Sequence, residues 1–470
     1  MWTVLFRRYS EKWTVRNRQI RKEQHWRRLG LITQRGFTVL FSGILFLTSG
    51  FSFFNFYLIL LGVYLIVGLV VTLPLFAVTA NLSGIEVDRK IDKTKVFSGD
   101  FLRVRVTIRN NSRRHFDFIE VWDQYPETWI LAIGENFMAS RIEAGSSIAF
   151  SYILQARMRG RYYLGPTEVI MRDRLGLHYY KRTVKARTEI LVYPTWKDVR
   201  RLETIGKQRQ LGLMFGSHKT KVVGMGTEFA GFREYVPGDP FKLIDWKTTA
   251  KRGEMTIKQY EEEKNVQFIC MVDASGSMGN GYPENTKLEY GIRAAVLLTY
   301  MGLERKDLVG VCVFSDVVHN YVPPSTKPDH MYAVLDALAM AEPMGWSDYE
   351  TAVSHVTSQT RKRSLFFFLT DLEESPAPLL NAMKAVVANG HRAVVISPFG
   401  PWFEVPVGQF GPVEKVLSEA VSEELWERRL KISRALSRFG IEVVNVGPED
   451  FLPTIIRQYN AAKQRGVALH

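Results

Sequence analysis

The sequence predicts a chain of several domains: a transmembrane helical hairpin at the front, a β-sandwich in the middle, and a doubly wound α/β domain at the C-terminal end. Three observations support this order. Two apolar runs, 36–54 and 56–78, carry no charged residue, and each is long enough to cross a hydrocarbon core as a helix. From Ile85 to Tyr193, short runs place apolar residues at every second position and break at turn-forming residues. Beyond 264, short apolar strands alternate with helix-length amphipathic stretches.

At 470 residues the chain has room for two or three domains of ordinary size. Its formal charge is +14, from 62 Lys and Arg against 48 Asp and Glu, and the placement of that excess matters more than its sum. Segment 1–35 runs basic from Arg7 to Arg35 with only Glu11 and Glu23 opposed, so about eight of the surplus charges precede the first apolar run. Basic residues also follow the second run at Arg89, Lys90, Lys93 and Lys95, beside Asp88. The positive-inside rule then places both termini in the cytoplasm and the protein in the cell membrane. Anchoring in a lipid bilayer accounts for the basic excess without nucleic acid as a partner. A cleaved signal peptide fits poorly, because the first run starts late, is long, and is followed at once by a second. Trp2, Trp13 and Trp26 among the basic residues suit an interfacial helix on anionic lipid or a disordered basic arm. Pro74 should bend or finish the second helix.

The middle region, 85–194, is a chain of half-buried strands. Phe101 to Arg109 alternates strictly and ends at Asn110-Asn111-Ser112. Phe118 to Trp122, Ser147 to Leu154, Arg161 to Leu164, Thr167 to Met171 and Thr188 to Val192 repeat the pattern, with glycines near the breaks. Strands at this spacing predict a sandwich of immunoglobulin type. His115 and His178 are isolated and read as surface or core residues. The two cysteines, Cys270 and Cys312, fall on expected core strands and fit a reducing compartment.

Segment 195–263 reads as a connector, irregular up to Gly224. Pro237-Gly238 is a turn; Asp239 can cap a helix from Pro240 to Lys251, which Gly253 would end. A nuclease-like set of Asp245, Glu254 and Lys258 is conceivable, but Glu261-Glu262-Glu263 would repel phosphate.

In the last region, 264–470, the expected elements run in order. Val266 to Asp273 is a strand, followed by a helix at about Lys287 to Arg305. Strands Val309 to Phe314 and His319 to Val322 come next, then helices at about Asp329 to Met340 and Tyr349 to Gln359. The strand ending at Asp371 precedes a helix at about Pro378 to Asn389 and a strand Ala393 to Ser397. A long helix from about Val413 to Phe439, a strand Ile441 to Val446 and a helix from Phe451 to Lys463 close the chain. The first strand opens into Asp273-Ala274-Ser275-Gly276-Ser277-Met278-Gly279, where one carboxylate and two hydroxyls alternate. In open parallel sheets ligands bind at that end. Gly276 and Gly279 would allow the turns that keep these oxygens converged, and hard oxygen donors suit Mg2+ or Mn2+. Without an ion, the same residues would make ordinary Asx and Ser turns.

The D-x-S-x-S loop at a strand end resembles the metal-ion-dependent adhesion site (MIDAS) of von Willebrand factor A domains, a Rossmann-like fold. Ser347, in Gly345-Trp346-Ser347-Asp348, stands where the family usually carries a threonine, and Asp371 ends Leu365 to Asp371 as the family's remaining metal-shell carboxylate. The resemblance implies that Ser275 and Ser277 bind Mg2+ (or Mn2+) directly, with Ser347 direct or through water. Asp273 and Asp371 would accept from the ion's waters. A protein partner would then contribute an Asp or Glu carboxylate.

A second resemblance covers most of the chain. Glu228, Phe229, Arg233, Tyr235, Pro237-Gly238-Asp239, Ile244-Asp245-Trp246 and Ala250 match the signature of the family called domain of unknown function 58 (DUF58). Arg159 to Pro166 matches its R-G-x-Y-x-L-G-P element, and Asp173 to Leu177 stands where D-P-F-G-L is common. Arg233, Asp239, Asp245 and Lys247 could form a charged cluster, and the signature, with Glu228 and Trp246, would act as a salt-bridged brace between the sandwich and the metal-binding domain or as a partner-docking patch. Family members are often associated with MoxR-type AAA+ ATPases, which implies such a partner here. The chain itself has no Walker A sequence.

The expected function is therefore a membrane-anchored, metal-dependent protein-binding module and not an enzyme. The alternative is a phosphohydrolase using Asp273, although Ser275 occupies the place where such enzymes usually carry a second carboxylate. Extracellular adhesion conflicts with the charge asymmetry around the hairpin.

Overall fold

The computed structural model describes residues 32–80, 82–195, 222–224, 228–262, 265–282, 284–327, 329–373, 376–398, 412–448 and 450–467. The basic segment before Ile32, with its three tryptophans, and most of the connector lie outside the described residues. The chain divides into two compact units: 1–96 with 100–156 and 162–190, and 97–99 with 157–161 and 191–470. The helical hairpin thus shares a unit with most of the β-rich region, and the signature segment shares one with the α/β domain.

In the first unit, helix α1 spans Gln34–Ser52 and α2 spans Phe56–Thr79. Both are long and apolar enough to cross a membrane. Thr33 caps α1 by accepting from the Gly36 N–H, and Asn55 caps α2 by accepting from Tyr57 and Leu58. Glycines let the two helices approach. A Cβ on Gly43 would lie 2.8 Å from Ile66, and one on Gly62 would lie 2.8 Å from the Gly43 carbonyl. Pro74 does not end α2, contrary to one of the two outcomes expected. The helix runs on to Thr79, and the Ala80 N–H still reaches the Phe76 carbonyl at 2.8 Å. One missing ladder bond is tolerated because the rest of the apolar helix has no better way to satisfy its backbone.

Strands β1 (Ile85–Ile91), β3 (Phe101–Asn110), β5 (Ile130–Ile133) and β7 (Ser147–Gln155) form one antiparallel sheet in the order β1-β3-β7-β5, with the short β2 (Lys95–Phe97) between β1 and β3 in sequence. Strands β4 (Phe116–Asp123), β6 (Phe137–Ile142), β9 (Thr167–Arg172) and β10 (Tyr179–Val184) form a second, β10-β9-β4-β6. Strands β8 (Gly160–Leu164) and β11 (Thr188–Tyr193) complete the region. The alternation in β3 buries Leu102, Val104, Val106 and Ile108 and turns Arg103, Arg105 and Arg109 outward. Both sheets contribute to one buried polar network. Asp123 of β4 accepts from Arg89 of β1 (Nε at 2.9 Å), Tyr152 of β7 (2.7 Å) and Thr167 of β9 (2.7 Å). His178 is a core histidine, with Nε2 2.9 Å from the Thr72 hydroxyl and its ring stacked on Phe76. His115 is a surface residue, 3.6 Å from Asp117.

In the second unit the signature segment holds more strand than expected. Strands β12 (Val222–Gly224), β13 (Glu228–Glu234) and β14 (Thr256–Glu262) make an antiparallel sheet in the order β12-β14-β13. The single helix expected from Pro240 is split. A 3-10 turn occupies Phe241–Leu243, Ile244 bridges to Ile257, and helix α3 begins only at Trp246 and ends at Arg252. Asp245, not Asp239, is its N-cap, accepting from the Thr248 N–H at 2.8 Å, and Gly253 closes it with φ +77°.

The α/β domain is built on a six-stranded sheet. Its strands are β15 (Gln267–Asp273), β18 (Leu308–Phe314), β19 (Val318–Ser325), β20 (Leu365–Leu369), β21 (Arg392–Pro398) and β22 (Glu442–Val446), and the small pair β16 (Gly281–Tyr282) and β17 (Asn285–Thr286) lies outside it. The order is β19-β18-β15-β20-β21-β22, with every pairing parallel except β18 with β19. Helices α4 (Lys287–Glu304), α5 (His330–Ala339) and α9 (Phe451–Val467) pack on one face, against Phe268, Cys270, Val272 and Phe367. Helices α6 (Tyr349–Gln359), α7 (Pro376–Ala388) and α8 (Pro412–Ser437) pack on the other, against Ile269, Met271, Phe366 and Phe368. Because strands alternate sides at every residue, β15 and β20 are buried on both faces and read as unbroken apolar runs. The strand order reverses between β15 and β20, and the crevice at their carboxyl ends is where such sheets bind ligands.

Candidate functional site

Asp273 is the last residue of β15 and is fully buried at that crevice. Its Oδ1 accepts the Ser275 N–H at 2.9 Å. Its Oδ2 accepts three hydroxyls: Ser347 at 2.8 Å, Thr370 at 2.6 Å and Tyr349 at 3.3 Å. Ser275 and Ser277 have their hydroxyl oxygens 3.2 Å apart. Burial pushes the Asp273 carboxyl up to about 6, against the lowering effect of the Thr370 hydroxyl and with a further push from the Asp371 charge.

Asp371 follows Thr370 directly after β20. Its Oδ2 lies 3.2 Å from the Lys287 ammonium, which also meets Glu373 at 2.6 Å. Lys287 opens helix α4 and is fully buried. From α8 the buried Arg429 donates to the backbone carbonyls of Asp371 and Pro398 and, at 3.1 Å, to Asn445. Burial pushes its guanidinium down to about 10. Leu372 holds φ +60°, a conformation a branched side chain adopts only where its surroundings impose it.

Backbone bonds lace the loops together. The Met344 N–H reaches the Ala274 carbonyl at 2.9 Å, Gly276 N–H reaches Gly345 at 3.0 Å, and Asp348 N–H reaches Ser315 at 2.8 Å. Gly345 has φ +65°, and a Cβ there would lie 2.6 Å from the Asp316 carboxylate. The glycines of the first loop act differently from the expectation of special backbone turns. Neither Gly276 nor Gly279 has positive φ, but a Cβ on Gly279 would lie 2.9 Å from Pro343, so close approach is what excludes a side chain there.

Asp273, Ser275, Ser277, Ser347 and Asp371 are thus gathered at one rim from three separated loops. Thr370, Tyr349, Lys287, Glu373 and Arg429 were not anticipated. A threonine before Asp371 and an acid two residues after it are legible as polar groups at a strand end. A lone lysine or arginine on an amphipathic helix carries no such signal, because most are solvated. Among the described residues, no group of three or more His, Cys, Asp or Glu side chains converges to hold a metal. The donors gathered here are mainly hydroxyls. In an octahedral Mg2+ site with bonds of 2.0–2.1 Å, neighbouring oxygens lie about 3 Å apart. The Ser275 and Ser277 hydroxyl oxygens, 3.2 Å apart, stand at that spacing, while Ser347 and Asp273, at 2.8 Å, are joined by a hydrogen bond.

The signature residues form no second cluster of this kind. Arg233 grips Asp239 with two bonds, at 2.7 and 2.6 Å, and Asp239 also accepts the Val236 N–H. The Lys258 ammonium lies 2.8 Å from Asp245 and holds its carboxyl down to about 2. Both ion pairs close within the segment itself: each acid finds a cation across a turn or on the adjacent strand. Asp245 is engaged by its cap and by Lys258. Trp246 is exposed, and the Glu228 side chain lies outside the described residues. Arg159, from the R-G-x-Y-x-L-G-P element, lies 3.0 Å from Glu289 and donates to the carbonyls of Leu338 and Ala341 at the end of α5. It thereby caps the helix that leads into the Ser347 loop.

Residues 231–401 match the family model described as protein of unknown function DUF58. The chain is similar to the uncharacterized protein Mb1516 of Mycobacterium bovis, at 24% identity over 289 residues, 57% of this chain and 89% of that protein. It is also similar to the uncharacterized protein YeaD of Bacillus subtilis, at 28% identity over 245 residues, 50% of this chain and 58% of that protein. Among solved structures, the conserved hypothetical protein BatB from Bacteroides thetaiotaomicron aligns at 18% identity, covering 43% of this chain and all of that one, with a TM-score of 0.31.

Proposed function

We propose that the chain is a membrane-anchored, divalent-ion-dependent protein-binding module that serves as an adaptor for a MoxR-type AAA+ ATPase in the assembly or maturation of protein complexes. The observation that carries the reading is the convergence of Asp273, Ser275, Ser277, Ser347 and Asp371 at the switch point of the α/β sheet. The hydroxyls of Ser275, Ser277 and Ser347 would hold Mg2+ or Mn2+, with Asp273 and Asp371 accepting from its waters. Bound there, the ion would offer an electrophilic position to an Asp or Glu carboxylate of the partner protein. Asp273 fixes the Ser347 hydroxyl and backs the Ser275 turn, and Lys287 balances the buried charge of Asp371. Binding is favoured over phosphate-ester hydrolysis because both Asp273 oxygens are engaged by donors and Ser275 stands where a second carboxylate would be needed. In the same reading the β-rich region is an immunoglobulin-type sandwich, and both termini face the cytoplasm.

The test is capture of a co-expressed MoxR-type ATPase by the full-length chain in detergent, in Mg2+ and in EDTA, repeated with Asp273→Ala. Capture should require both the ion and Asp273; capture unchanged in EDTA would refute the ion as the contact. Metal-dependent turnover of generic phosphate esters would favour the enzyme instead. Digestion of the C-terminal unit by protease added to sealed right-side-out vesicles would reverse the topology.

A further inference from the structure

The rim around the site is not uniformly polar. Three large apolar side chains stand exposed on the loops that surround it: Val317 at 53%, Met344 at 46% and Trp346 at 64%. Their positions are fixed by the backbone bonds that hold the site. Met344 is bonded to Ala274, one residue beyond Asp273; Gly345 carries the bond to Gly276; and Trp346 immediately precedes Ser347. Val317 closes the turn in which Ser315 accepts from Asp348, the residue after Ser347. Exposed apolar residues scattered singly need no explanation, but three on interlaced loops at the mouth of one site do. Tryptophan and methionine are also enriched at protein interfaces, and tryptophan is among the residues enriched where binding energy concentrates.

The charges on the same loops indicate what would bind. Asp316 adjoins Val317, and Glu342, Asp348 and Glu350 lie within four residues of Met344 or Trp346, with no basic residue between Ser315 and Val317 or between Ala341 and Glu350. An acidic ring with an apolar centre repels a uniformly acidic partner. We infer that the site recognises a protein segment in which one carboxylate is followed closely by a large apolar side chain and flanked farther out by Lys or Arg. The carboxylate would face the ion position, the apolar side chain would cover Val317, Met344 and Trp346, and the outer basic residues would meet the acidic ring. This inference rests on the ion-dependent reading and specifies the partner's chemistry.

The experiment uses the full-length chain in nanodiscs and three labelled peptides: one with a single Glu among Ala and Gly, one with Phe beside the Glu, and one with Phe beside the Glu and Lys at both ends. Binding is read by fluorescence polarisation in Mg2+ and in EDTA, and Mg2+ binding by calorimetry. The Phe peptide should bind at least tenfold more tightly than the Ala peptide, and the Lys-flanked one more tightly still. Trp346→Ala and Val317→Ser, both at exposed positions, should each remove most of the Phe advantage while leaving Mg2+ affinity unchanged. A Phe advantage that survives in both variants, or Mg2+ binding with no peptide preference, overturns the inference while the ion reading stands. Absence of Mg2+ binding refutes the ion reading, and the inference falls with it.

Discussion

Lys287→Met asks whether the buried ammonium and a divalent ion share Asp371. The substitution keeps the length and most of the volume of a side chain that is fully buried. Lys287 meets two carboxylates, Asp371 at 3.2 Å and Glu373 at 2.6 Å, and the Asp371 carboxylate is itself almost fully buried. Removing one partner of a buried pair costs about 3–5 kcal/mol, because the remaining charge stays out of water. Arg429 donates to backbone carbonyls and Asn445, and its charge also acts on Asp371 and Glu373, so the loss should fall toward the lower end of that range. A divalent ion would restore much of it. At 100 times its Kd a ligand stabilises the native state by about 2.7 kcal/mol, and the variant, having lost a competing cation, should bind Mg2+ about tenfold more tightly than the parent. The assay is urea unfolding of the full-length chain in detergent, followed by fluorescence, with Mg2+ or with EDTA. The gap between variant and parent should narrow by about 1–2 kcal/mol in Mg2+, since the parent gains less from the ion. An equal gap in the two buffers would refute the reasoning, because the ammonium and the ion would then not compete at Asp371.

Asp123→Ala should destabilise the first unit by about 3–5 kcal/mol in the same assay, since Arg89 and Asp123 are both buried and Tyr152 and Thr167 also lose their acceptor. Gly43→Val should cost the helical hairpin about 1–3 kcal/mol in detergent, whereas Gly68→Ala, where a Cβ meets nothing within 4 Å, should be close to neutral. Burial lowers the pKa of both His330 and His391; His391 must be neutral to accept the Ser364 N–H, while the bond His330 donates to the Val309 carbonyl only partly offsets its burial. Below the unfolded value near 6.5 the unfolded chain therefore binds more protons than the folded one. Stability should fall as pH drops through that value towards the lower folded pKa, and His330→Asn with His391→Asn should flatten the slope measured by urea titration between pH 7 and 5.

Much of this architecture is written in local pattern. Two charge-free runs give two helices long and apolar enough to cross a membrane, where a backbone has only the helix to satisfy it. Strict alternation in Phe101 to Arg109 gives a half-buried strand, and the unbroken apolar runs ending at Asp273 and Leu369 give strands buried on both faces. A polar loop at a strand end singles out Asp273, Ser275 and Ser277 without coordinates, while Ser347 and Asp371 came from the resemblance to the von Willebrand A metal site. The strands of the signature segment were harder to see. Glu228 to Glu234 and Thr256 to Glu262 mix charged and small residues, and they become strands only by pairing with each other and with Val222–Gly224.

What the chain's order of residues determined by itself was the apolar helices, the alternating and fully buried strands, and the oxygens at the carboxyl end of the strand leading to Asp273, because helix and strand periods act over a few neighbours. Tertiary structure alone decided the electrostatics of that edge. Lys287 and Arg429 lie on helices distant in sequence from Asp371, and nothing local distinguishes them from solvated cations. The same holds for Lys258, which pairs with Asp245 from the adjacent strand. Charge acts through space at ranges of several ångströms, and only the folded chain fixes which charges share that space.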